Sequence, residues 1–119
     1  MSRTLHVHAW GDPAGEPLVC LHGVTAWGGH FAGLAAALGE RYRVLAPDLL
    51  GHGSSPSEPP WRIVDHVDAL AATLEPVPAT WLGHSFGARL ALEVAAAEPE
   101  RVERLVLLDP AVVVPPHVA

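Results

Sequence analysis

Ser85 stands between Gly83 and Gly87 in the stretch GHSFGA, where an apolar run gives way to a helical pattern. A hydroxyl raised on a sharp strand-to-helix turn is placed to act as a nucleophile. Glycine suits the positions two before and two after it, because side chains there would collide with neighbouring backbone. The helix that follows offers unpaired N–H groups to a developing oxyanion, and that of Phe86 is the nearest. The chemistry these residue types serve is acyl transfer through a tetrahedral intermediate. The competing reading is an ordinary strand–helix turn with Ser85 as the N-cap.

The elements around this serine follow from periodicity. Leu5, Val7 and Ala9 alternate with polar and aromatic residues, as in a half-exposed strand. Leu18 to Gly23 is a short apolar run expected of a strand covered on both faces. Phe31, Leu34, Ala35 and Leu38 recur at helical spacing, and Gly39 marks the end. Arg43 to Leu49 reads as a strand. Trp61, Val64, Val67, Leu70, Ala71 and Leu74 share one face of a helix that Pro76 and Pro78 stop. Ala79 to Ser85 is a strand, Phe86 to Glu98 a helix ending before Pro99, and Val102 onward a last strand. This order, one strand, three strand–helix units and a strand, predicts an α/β fold. Its five strands form a mainly parallel sheet with helices on both faces. Ligand chemistry in such folds gathers at the carboxyl ends of strands, where His22, Asp48, Ser85 and Asp109 fall.

Composition narrows the function classes. The 119 residues make at most one domain, half apolar and therefore globular. A net charge of −6, no lysine and seven scattered arginines argue against nucleic acid or an anionic membrane as partner. The single Cys20 excludes an internal disulfide and reads as an apolar core thiol. The first ten residues carry no apolar leader and no run approaches membrane-spanning length, so a cytoplasmic location is expected. No lysine means no Walker-type loop, and no G-x-G-x-x-G occurs. His6 and His8 share a strand face at metal-ligand spacing, but with no third ligand evident they read as exposed polar positions. No metal or other cofactor is expected.

Four stretches together resemble the α/β-hydrolase superfamily, in its esterase and lipase-like branch: GHSFG at 83–87, LHG at 21–23, APDLLGHGSS at 46–55 and LVLLDPA at 105–111. The resemblance implies a catalytic Ser85 and a small ester-like substrate. It also implies an oxyanion hole formed by the N–H groups of Val24 and Phe86. Asp48 then belongs to the turn after its strand and is structural, and His22 is an imidazole hydrogen-bonded to backbone.

The family's triad runs serine, acid, histidine, and its usual acid and histidine come from later regions. The resemblance therefore covers the N-terminal portion of one domain over 1–119, with the cap and C-terminal strands absent. Among the histidines here, His84 should pack beneath the turn, His52 is a turn residue, and His30 and His66 face away from the presumed site. Only Asp109 and His117 satisfy the order formally. Their eight-residue separation permits a reach of roughly 26 Å, but His117 lies in a tail of a kind usually poorly ordered. Trp27, Phe31 and Trp61 are candidates either for a pocket wall or for the core.

Three readings stay open. One is a serine ester hydrolase, weak or inactive as this chain alone. The second is a non-catalytic fragment, pseudoenzyme or small-ligand-binding module. The third is half of a split enzyme. An open apolar edge at the last strand predicts self-association or pairing with a complementing chain.

Overall fold

The alternation of apolar runs and helical stripes is realised as a five-stranded sheet flanked by three helices. A computed structural model describes residues 3–119. Met1 and Ser2, part of the segment read as lacking a leader, lie outside the described residues. The strands are β1 (Val7–Gly11), β2 (Glu16–Leu21), β3 (Tyr42–Pro47), β4 (Ala79–His84) and β5 (Val102–Leu108). The helices are α1 (Ala32–Leu38), α2 (Ile63–Thr73) and α3 (Phe86–Ala97).

The sheet order is β1-β3-β2-β4-β5. β1 runs antiparallel to β3, and every other pair is parallel. Chain order and spatial order diverge because each parallel neighbour is reached through a crossover. β2 and β4 are interior, and the apolar run Leu18 to Leu21 is buried throughout, as a strand covered on both faces must be.

Each face of the sheet has its own core. On one, Leu21, Leu49, Leu70, Trp81, Phe86 and Leu90 pack with α2 and α3. On the other, Leu18, Cys20, Ala35, Val44 and Ala46 pack with α1, and Phe31 and Trp10 lean on them. Cys20 is the expected core thiol, fully buried, and burial pushes its pKa up to about 12.

Two expectations need correction. The expected α2 stripe holds only in part: Val67, Leu70 and Leu74 pack in the core, but Trp61 precedes the helix and is exposed, as is Val64, while His66 and Ala69 are buried in their place. Counting only apolar residues rotates the stripe away from His66, an imidazole that the core accepts. His84 is exposed rather than packed beneath the turn. It shares its strand face with Thr80 and Leu82, and the second core includes Leu82 but ends before His84.

A buried cation ties the helix ends together. Arg101 donates to the carbonyls of Leu74 (3.1 Å), Glu75 (3.3 Å) and Ala71 (3.3 Å), and to Glu98 Oε1 at 2.8 Å. The Ala71 and Leu74 carbonyls end α2 and have no helical donor of their own, whereas Glu75 O, just beyond the helix, also accepts Val77 N–H at 2.8 Å. Removing the guanidinium would strand the first two, and cations belong at that end of the helix dipole. No helix among the described residues is long and apolar enough to cross a membrane.

Candidate active site

One residue makes the whole turn from β4 into α3. Ser85 has φ 55° and ψ −114°, a conformation that costs a non-glycine residue on the order of 1–3 kcal/mol. The surrounding backbone holds it there. Ser85 N–H donates to Leu108 O at 2.9 Å, and Ser85 O accepts from the N–H groups of Ala88 and Ala111, each at 3.1 Å. A Cβ on Gly83 would overlap Gly87 O, and a Cβ on Gly87 would overlap Leu21 O. Both glycines are therefore required by close backbone approach, for the reason read from the sequence. The N-cap alternative fails on two counts: the Ser85 side chain caps nothing, and its φ is not that of an N-cap.

The loop after β2 closes on this turn. An added Cβ at Gly23 would lie 3.4 Å from the Ser85 Cβ. His22 fixes the loop's path: its Nδ1–H donates to Gly23 O at 2.7 Å, and its Nε2 accepts Leu49 N–H at 3.0 Å. Such a ring must be neutral. Burial pushes its pKa down to about 4, outweighing the Gly23 carbonyl that acts the other way. Thr25, at φ 69°, donates its N–H to His52 Nε2 at 3.3 Å, while His52 Nδ1–H donates to Leu50 O at 2.9 Å. Two backbone-bonded imidazoles thus brace the loop, with ring centroids 4.8 Å apart.

Val24, Ser85 and Phe86 line a single cavity of about 460 Å³. Among the described residues, no backbone acceptor takes the N–H of Val24 or of Phe86. Two free amides beside one strained serine are what a developing oxyanion needs.

Of the two formal partners, His117 lines this cavity and Asp109 does not. Asp109 is exposed at φ 51°, and among the described residues no hydrogen bond or ion pair joins it to His117. Nor does any described side chain hydrogen-bond Ser85 Oγ. The tail that carries His117 is tied down at two points: Ile63 N–H donates to Val118 O at 2.9 Å, and Arg89 Nη1 donates to Val112 O at 2.7 Å.

Sequence reasoning misplaced one residue here. His66, expected to face away, lines the cavity and stands edge-on to Phe86 at 5.2 Å. Its Nδ1 has no partner among the described residues, and burial lowers its pKa to about 4. The signal available was spacing: His66, Ala69, Leu70 and Thr73 form an i, i+3, i+4, i+7 stripe once histidine is counted as a core residue. His52 and Trp61 also line the cavity, so Trp61 belongs to the wall. Phe31 belongs to the core, and Trp27 stands against His8.

The chain belongs to the alpha/beta hydrolase fold family, which it matches over residues 16–119. It is 47% identical over 111 residues to lipase LipV of Mycobacterium tuberculosis, covering 91% of this chain and 42% of that lipase. It is 39% identical over 94 residues to the pimeloyl-[acyl-carrier protein] methyl ester esterase of Methylococcus capsulatus, covering 79% of this chain and 37% of that esterase. Among solved structures, a marine microorganism esterase superposes with a TM-score of 0.83 at 27% identity, covering 89% of this chain and 41% of that one. The chain therefore spans about two fifths of the length of these relatives.

Proposed function

We propose that this chain carries the nucleophile and oxyanion hole of a serine ester hydrolase. Ser85 Oγ attacks the carbonyl carbon of a small ester, and the carbonyl oxygen becomes an oxyanion held by the N–H groups of Val24 and Phe86. A base takes the Ser85 proton during attack and returns it to the leaving oxygen, so collapse expels the alcohol and leaves an acyl-serine, which water then hydrolyses to the acid and free Ser85. The observation that carries this reading is the strained Ser85, φ 55°, sharing one cavity with two unclaimed amides. Relatives named as a lipase and a methyl ester esterase support ester as the substrate class. No metal or organic cofactor enters the scheme.

A base for Ser85 is the weak link. His117 lines the cavity, yet no described side chain bonds Ser85 Oγ, so turnover by the 119 residues alone is weak. A second reading rests on that same observation: the cavity binds a small ligand without chemistry. The experiment that separates them treats the chain with a fluorophosphonate and measures release from an activated ester, for wild type, Ser85→Ala and His117→Ala. Labelling lost only in Ser85→Ala supports a poised nucleophile without an internal base. Turnover lost in both variants makes His117 the base. No labelling of wild type refutes the hydrolase reading, and restored turnover on adding a C-terminal hydrolase half supports a split enzyme.

β5 ends the sheet order, and Val106 and Leu108 on it are 40% and 48% exposed. We propose that this edge pairs with a second copy or a complementing chain.

A further inference from the structure

We propose that His6, His8 and Asp48 form a binding site for a divalent ion of the zinc class. The antiparallel register of β1 on β3 builds it. His8 lies opposite Ala46 and Val7 opposite Pro47, so the next step sets Asp48 beside His6, where Asp48 N–H donates to His6 O at 2.8 Å. Directly opposed residues share a sheet face. His6, His8 and Asp48 therefore stand together around Ala46, whose methyl group leaves them room.

The donor atoms suit an ion. One donor from each residue lies within 4.8 Å of the others, and His8 Nε2 is 3.0 Å from Asp48 Oδ1. Tetrahedral ligands about 2.0–2.2 Å from zinc are themselves about 3.4 Å apart, so this pair needs to part by only about 0.4 Å. His8 is oriented in advance, stacked on Trp10 at 6.0 Å and edge-on to Trp27 at 5.1 Å. Asp48 is held through Gly28 N–H (2.8 Å) on Oδ1 and Ser54 N–H (2.9 Å) on Oδ2, an outer set of bonds of the kind that orients metal ligands. His6 is exposed and stands edge-on to His8, with ring centroids 4.7 Å apart.

On binding, the proton that joins His8 Nε2 to Asp48 Oδ1 leaves Nε2 for Nδ1, and the freed lone pair and the carboxylate oxygen take the ion. Three protein donors leave the remaining coordination positions to water. The ion would fasten the edge strand β1 to the turn at 48–55, which carries His52, and through Gly28 to the loop that carries Val24. Asp48 stands out in the sequence as a strand-end residue, but its grouping with His6 and His8 does not, because forty residues separate it from His8.

The test uses untagged, chelator-stripped chain titrated with Zn²⁺ by calorimetry, with thermal denaturation in parallel. One equivalent should bind and raise the Tm. His6→Ala, an exposed change that leaves the fold intact, should weaken binding at least about tenfold. His8→Ala should do the same, and His30→Ala, outside the cluster, should change nothing. X-ray absorption of the zinc complex should show two imidazoles in the coordination shell. Absence of stoichiometric binding, unchanged affinity in His6→Ala, or loss of binding in His30→Ala would each overturn the site. None of these readouts depends on Ser85 chemistry.

Discussion

Leu49 N–H donates to Nε2 of the buried His22, joining the carboxyl end of β2 to the turn after β3. The bond needs an unprotonated Nε2, and so ties the loop of Val24 to the charge state of one ring. His66, the other buried imidazole at the cavity, is likewise neutral. In both, burial pushes the pKa from 6.5 to about 4. A group whose pKa is lower folded than unfolded binds protons preferentially when unfolded. Stability is then full above about 6.5 and declines as pH falls toward about 4, by at most roughly 3 kcal/mol per ring. Urea midpoints should fall between pH 7.5 and pH 4.5. His66→Leu should roughly halve that fall, and at pH 7.5 should cost little because it removes an unpartnered buried nitrogen. An unchanged pH response in His66→Leu would refute the assignment of the effect to these rings.

The order of elements is legible in the sequence because apolar alternation, helical spacing and proline stops agree from Leu5 to Leu108. The serine turn is legible because two glycines and a serine answer three separate steric demands within five residues. His66 and Asp48 are not legible in the same way. His66 is a polar residue type on a buried stripe, and its cavity position depends on how α2 is rotated against α3. Asp48 matches a turn motif, but its nearness to His6 and His8 exists only after β1 pairs antiparallel to β3. The cavity wall formed by the tail is a tertiary feature too, since bonds to Ile63 and Arg89 hold it.

Function and stability should pull apart at Ser85. Its φ of 55° suits glycine, so Ser85→Gly should be more stable than Ser85→Ala by about 1 kcal/mol. Both should lose fluorophosphonate labelling. Chemical denaturation of the two variants checks the order, and equal stability would mean that the turn stores no strain.

The glycines divide into those that backbone crowding demands and those it does not. Gly83→Ala and Gly87→Ala should each cost more than about 3 kcal/mol, because the new methyl group meets backbone atoms that cannot move aside. Gly33, exposed on α1 with nothing within 4 Å of an added Cβ, is the opposite case. Gly33→Ala should stabilise by about 0.5–1 kcal/mol through helix propensity alone. Thermal melts of the three variants would show whether the order holds.

The outer edge of β5 tests the assembly proposal. Val106 and Leu108 alternate with Leu105 and Leu107, so they share one face of the strand, and both are exposed. Lysine is a residue by which sheet edges resist pairing. Val106→Lys combined with Leu108→Lys removes no buried side chain, so the Tm should shift little. If the edge joins copies of the chain, wild type should sediment with an average mass that rises with concentration, and the double variant should stay monomeric at the same concentrations. A wild-type chain that sediments as a monomer throughout removes self-pairing and leaves only a complementing chain, whose binding the same two lysines should abolish.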